Sequence, residues 1–215
     1  MDRNAAYRAA HRREHIGPHY SGKAHFAFAL AFSLGGIALC AAFLHDVAPL
    51  EWLAVPLTFI YANMAEYAGH RWVMHRRVRG LGLIYERHAR QHHRFFTHRH
   101  MALEGWQDCR VVLFPVVLMV FFFGAFALPV GLLLAWLVSA NVALLFVITA
   151  LAYYLNYELL HLAYHLPESS VVSRWPLLRR LRRLHLRHHD PALMARANFN
   201  ITYPIGDWLF RTHRI

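Results

Sequence analysis

An all-α integral membrane protein, with four transmembrane helices in two hairpins and a helical cap on the cytoplasmic side, is the fold class that three features of this chain predict. Of its 215 residues 57% are hydrophobic, and the mean hydropathy is positive at +0.26. Long stretches carry no Asp, Glu, Lys or Arg at all. The 23 Lys and Arg residues fall into three segments only, five in 1–23, nine in 71–110 and nine in 174–214.

Residues 1–23 form a basic N-terminal segment, and residues 24–215 read as a single membrane-embedded domain. The first span is "AHFAFALAFSLGGIALCAAFL" (24–44), long enough to cross a hydrocarbon core that needs about 20 apolar residues. It also exceeds the apolar core of a usual signal peptide, which favours a retained helix. The second span, about 50–69, contains "WLAVPLTFIYANMA" and crosses only if its helix continues through Glu66 into "EYAGH". Between Arg110 and Glu158 no residue is formally charged. As one helix that stretch would be about 70 Å long against a core of about 30 Å, so it is expected to cross twice, at about 111–128 and 135–158. Pro129 and Gly131 mark the expected turn. The cap then consists of 70–110 and 162–215, and "VVSRWPLLRRLRRL" (171–184) suits a helix lying at the membrane surface or packed within the cap.

The formal charge of +11 and a pI near 10.4 would in another context suggest nucleic acid. Here the basic residues avoid the expected turns at 45–51 and 127–138, which is the positive-inside pattern. It assigns both termini and the cap to the cytoplasm and removes the need for a nucleic-acid partner. Cys40 and Cys109 are far apart and form neither a disulfide framework nor a CxxC pair. Solenoid repeats, low-complexity linkers and Gly-rich phosphate loops are absent from the sequence.

Histidine carries the chemistry. Four clusters stand out: His70 and His75; His88, His92 and His93; His161 and His165; His185, His188 and His189. Residues three or four apart share a helical face, so His161 with His165, and the last three together, are expected to converge. His88 and His92 should share a face with His93 turned away. His70 and His75, five apart, do not align on a regular helix; they would serve neighbouring ions or sit on a distorted one. Ten imidazoles exceed the four ligands of a tetrahedral site and suggest two metal ions. Imidazole suits iron, zinc, copper or nickel. Glu66, Glu158 and Asp190 stand close enough to hold the second nitrogen of His70, His161 and His189, or else to pair with arginines. A metal transporter would instead place polar ligands near the bilayer midplane, where these spans have almost none.

The order HX4H, HX3HH, HX3H, HX2HH resembles the fatty acid hydroxylase superfamily, integral-membrane di-iron oxygenases that include sterol desaturases and lipid hydroxylases. "NFNITYPIGDWLFRT" (198–212) is similar to that family's ending, so the resemblance covers roughly 50–212. It implies that the ten histidines ligate two iron ions, with zinc an alternative on purification, and that O2 oxidises a C–H bond of a lipid or fatty-acyl chain taken from the bilayer. A sterol, hopanoid or carotenoid oxidase or desaturase is the alternative within the family. Fusion to a heme domain is not seen, so a separate electron-transfer protein is implied as donor. The second box has three residues between its histidines where relatives commonly have two, which weakens the place of His88, and the ending reads FRT where relatives have FGT. Trp72, Phe95, Phe96, Tyr154 and Leu162 are candidates for a lipid tunnel or for plain core.

Overall fold

The computed structural model describes residues 3–215 as helices joined by short connections. In chain order these are α1 (Arg3–His15), α2 (Gly22–Ala42), α3 (Ala54–Ala68), α4 (Gly82–Tyr85), α5 (His93–Phe95), α6 (Cys109–Val112), α7 (Val116–Phe122), α8 (Leu128–Leu137), α9 (Ala140–Tyr164), α10 (Pro176–His188) and α11 (Ile205–Leu209). Two π-helical turns, Glu86–His92 and Phe123–Ala127, join consecutive helices without a break, and a third, Gly69–Met74, extends the end of α3. Three helical runs are long and apolar enough to cross a membrane: Gly22–Ala42, Trp106–Leu137 and Ala140–Tyr164. The expected second span is helical from Ala54 to Ala68 and does carry on, as a π-turn, to Met74.

The expected turn at Pro129 does not occur. Proline lacks an N–H and clashes with the carbonyl four residues earlier, yet Pro129 sits in the first turn of α8, directly after the π-turn Phe123–Ala127. A helix start tolerates proline, and the widened turn absorbs the missing bond. The chain reverses instead at Val138 and Ser139, between α8 and α9.

By contacts the residues form two compact units. One contains Phe26–Ala62 and Phe114–Glu158. Within it Phe59 packs edge-on to Tyr153, Phe32 to Phe123, and the Cβ-less Gly36 admits Leu151. The connections 45–51 and 138–141 are tied together: the Glu51 carboxylate accepts from Ser139 and from Asn141 Nδ2, and Asn141 also bonds the His45 backbone through both amide atoms.

The other unit contains the chain up to His25, Asn63–Leu113 and Leu159–Ile215. The basic segment is not left to solvent here. Arg12 grips the buried Asp108 carboxylate through Nε at 2.8 Å and Nη2 at 2.9 Å. Arg8 reaches the same carboxylate at 3.3 Å and stacks 4.6 Å over Phe95. Helix α10 turns Leu181, Leu184, His185 and His188 inward and leaves Leu177 and four arginines, 179, 180, 183 and 187, exposed.

Candidate metal centre

All ten histidines belong to this second unit. The π-turns explain the awkward five-residue spacings. Their i→i+5 hydrogen bonds bring residues five apart onto one face, so His70 and His75 meet with Nε2 atoms 3.2 Å apart. The same geometry in Glu86–His92 pairs His88 with His93 at 3.0 Å. The expectation that His93 turns away from His88 is therefore corrected, while the His88 and His92 rings do lie side by side, stacked with centroids 5.2 Å apart. A π-turn replaces the α-turn on which that expectation was based, and His92 is sent to a different partner set.

Two groups result. His70, His75, His88, His93 and His188 bring one ring nitrogen each within 4.8 Å of one another, and so do His92, His165, His185 and His189. Within the first, His70 and His88 Nε2 are 2.8 Å apart and His75 and His188 Nε2 3.0 Å. Within the second, His189 Nε2 lies 3.1 Å from both His92 and His185 Nε2. The tenth ring, His161, joins neither group, though its Nε2 is 3.3 Å from that of His92. The groups adjoin: His93 and His189 stack with centroids 4.3 Å apart.

The donor set fits metal on chemical grounds. Nδ1 of His70, His92, His165, His188 and His189 bonds the carbonyls of Phe199, Val111, Met101, Ala197 and Phe96. A carbonyl only accepts, so these Nδ1 atoms carry the proton and the matching Nε2 atoms carry lone pairs. His92 and His189 then face each other lone pair to lone pair at 3.1 Å, an arrangement that a shared cation relieves. Burial pushes the rings well below their ordinary basicity, His188 to about 4 and His92 to about 3. For His185 and His189 neighbouring imidazoles add to the burial effect. At neutral pH the rings are uncharged, the form that binds metal.

A family model described as fatty acid hydroxylase matches residues 55–212. The chain belongs to the fatty acid hydroxylase family. A solved structure, full-length scs7p with only its hydroxylase domain visible, is similar at a TM-score of 0.61 and 18% identity. That match covers 86% of this chain and 64% of the other, so this chain spans less than two thirds of that protein's length. At this identity the likeness is one of fold. A search of curated proteins finds no match.

In this member of the family the three candidate carboxylates do something other than orient rings. Glu66 accepts the amides of Ile201 and Thr202 and, at 2.6 Å, the Thr202 hydroxyl. It holds the strand of chain whose Phe199 carbonyl takes His70, and so acts one step further from the ring than expected. Glu158 accepts the Phe114 amide at 3.0 Å and a hydroxyl bond from Tyr154. Asp190 accepts the Ala192 amide at 2.9 Å, a side-chain turn that ends α10. Main-chain carbonyls hold the rings instead, and those have no signature in a sequence.

The family's C-terminal motif builds one such carbonyl platform. Asp207 receives the amides of Phe199 and Asn200 at 2.9 and 2.8 Å and the Thr212 hydroxyl at 2.6 Å. Asn200 returns a bond to the Asp207 amide and donates to the Asn63 carbonyl. Tyr164 donates to Ile201. Of the candidate tunnel residues, Phe95 lies between His11 and Arg8, and Phe96 packs 4.2 Å from His165. Both are buried, as is Leu162, whereas Trp72 is exposed and Tyr154 packs on Phe123 in the other unit.

Proposed function

We propose that this chain is a membrane-bound, O2-dependent di-iron oxygenase that hydroxylates a C–H bond of a lipid or fatty-acyl chain drawn from the bilayer, with electrons from a separate protein. The observation that carries this reading is the pair of adjoining imidazole groups whose Nε2 lone pairs converge. His70, His75, His88, His93 and His188 would hold one ion. His92, His165, His185 and His189 would hold the other, with His161 completing its shell. Iron bound there supplies O2 activation and oxidation of an unactivated C–H bond, chemistry no side chain provides. The chain's own part is to keep ten rings neutral, fix five of them by carbonyl bonds, and exclude water from the buried groups. The family and the hydroxylase-domain neighbour support hydroxylation.

For topology we infer four crossings, α3 with its π-turn being the fourth, in two hairpins whose connections share the Glu51 hydrogen bonds. The Lys and Arg distribution supports cytoplasmic termini and a cytoplasmic metal centre. Purified protein is expected to hold close to two metal ions per chain, iron or adventitious zinc. His188→Ala should lose metal and lipid-hydroxylating activity together, read by elemental analysis and by lipid mass spectrometry of expressing cells. Full activity in that variant overturns the assignment.

A further inference from the structure

The connection between the two histidine-bearing π-turns borders an open surface pocket of about 370 Å3, lined by Arg77, Arg79, Gly80, Tyr85 and Glu86 among others. Both ends of this lining are chain neighbours of the five-imidazole group. Arg77 follows His75 by two residues, and Glu86 precedes His88 by two. Two residues of extended chain span at most about 7 Å. His75 is also the ring of that group that keeps solvent exposure, the other four being buried. The pocket thus lies beside the one ring of the group that solvent reaches.

The pocket is electropositive. Arg76, Arg77 and Arg79 are exposed, while the Glu86 carboxylate is engaged by Arg90 at 3.4 Å. Arg77 is oriented by stacking its guanidinium 5.4 Å over the Tyr85 ring, the planar contact that suits arginine rather than lysine. The loop is closed by a bond from the Leu81 amide to the Val78 carbonyl at 3.0 Å. Gly80, at φ +82°, supplies the left-handed residue that this turn needs.

We propose that this pocket binds the anionic head, phosphate or carboxylate, of an acyl-chain lipid, with Arg77 and Arg79 as the anion contacts. The bound chain runs from there past His75 toward the five-imidazole group. That this ligand is the substrate rests on the oxygenase reading; that the pocket binds an anionic amphiphile does not. The outer face of α10, with exposed Arg179, Arg180, Arg183 and Arg187, carries comparable charge and serves as the comparison surface.

The test is calorimetric titration of the full chain in neutral detergent with dodecyl phosphate, decanoate, zwitterionic dodecyl phosphocholine and inorganic phosphate. Dodecyl phosphate or decanoate should bind, and Arg77→Gln/Arg79→Gln should weaken that binding roughly tenfold or more with metal content unchanged. Arg179→Gln/Arg183→Gln, which removes the same charge from α10, should leave it intact. Equal weakening by both double variants, equal affinity for dodecyl phosphocholine, or no binding of either anionic amphiphile overturns the proposal. Inorganic phosphate binding as tightly as dodecyl phosphate overturns the lipid assignment. Arginine-dependent binding in a protein that oxidises no lipid would overturn the oxygenase reading and leave the head-group site standing.

Discussion

At Arg211 the backbone takes φ +57°, a left-handed conformation that costs a residue with a side chain about 1–2 kcal/mol. This is the position where the family's ending carries glycine. The FRT departure visible in the sequence thus marks a strained turn, held by the Thr212 amide bonding the Asp207 carbonyl at 2.8 Å. Arg211→Gly should relieve the strain against glycine's larger unfolded-state entropy and stabilise the protein by about 0.5–1 kcal/mol, measured as a small rise in Tm with metal content unchanged. Single residues were legible where their chemistry is in the side chain, as with the ten histidines. Glu66 and Asp190 were expected to hold His70 and His189 or to pair with arginines, and instead they accept main-chain amides. Their partners, Ile201, Thr202 and Ala192, contribute main-chain amides that any residue type but proline would present.

Among the elements, the π-turns separate what spacing can and cannot reveal. The sequence shows that His70 and His75 do not suit an α-helix. It does not show whether the chain distorts or the rings part, because a π-turn has no composition of its own. The distortion has a specific consequence. Inserting one alanine after Val73 should carry His75 off the shared face and lower bound metal from about two ions per chain to about one. Deleting Val73 should leave an i, i+4 pair that a regular α-turn aligns, with metal retained. Elemental analysis of the two purified variants distinguishes them. The Pro129 misplacement has the same origin: a widened turn at Phe123–Ala127 accommodates a residue that would otherwise end a helix. The three long apolar helices needed no such subtlety, since hydropathy over 18 or more residues reports them directly.

For the whole molecule, metal and fold are expected to be one equilibrium. A cation at about 1,000 times its dissociation constant adds about 4 kcal/mol to the native state, which for a chain of this size is a shift of about 10 °C in Tm. Chelation should therefore lower the thermal transition by that order for each ion, and re-addition should restore it. The pH dependence follows from imidazoles whose folded pKa values lie below their unfolded ones. Above pH 6.5 the rings are neutral in both states and this contribution is intact. As pH falls from 6.5 toward about 4, the His188 value, the unfolded chain gains protons that the native one refuses, and the metal-free protein loses stability. Metal should be held well below the pH at which solvated histidines release it, as metal content after dialysis between pH 7 and 4 would show. The ring-orienting carbonyls of Phe96, Met101, Val111, Ala197 and Phe199 come from separate stretches of this unit. A carbonyl survives every substitution, so these alignments are written in the path of the chain and not in its letters. The side chains at those five places pack the unit's interior, but it is the course of the main chain that aims the rings.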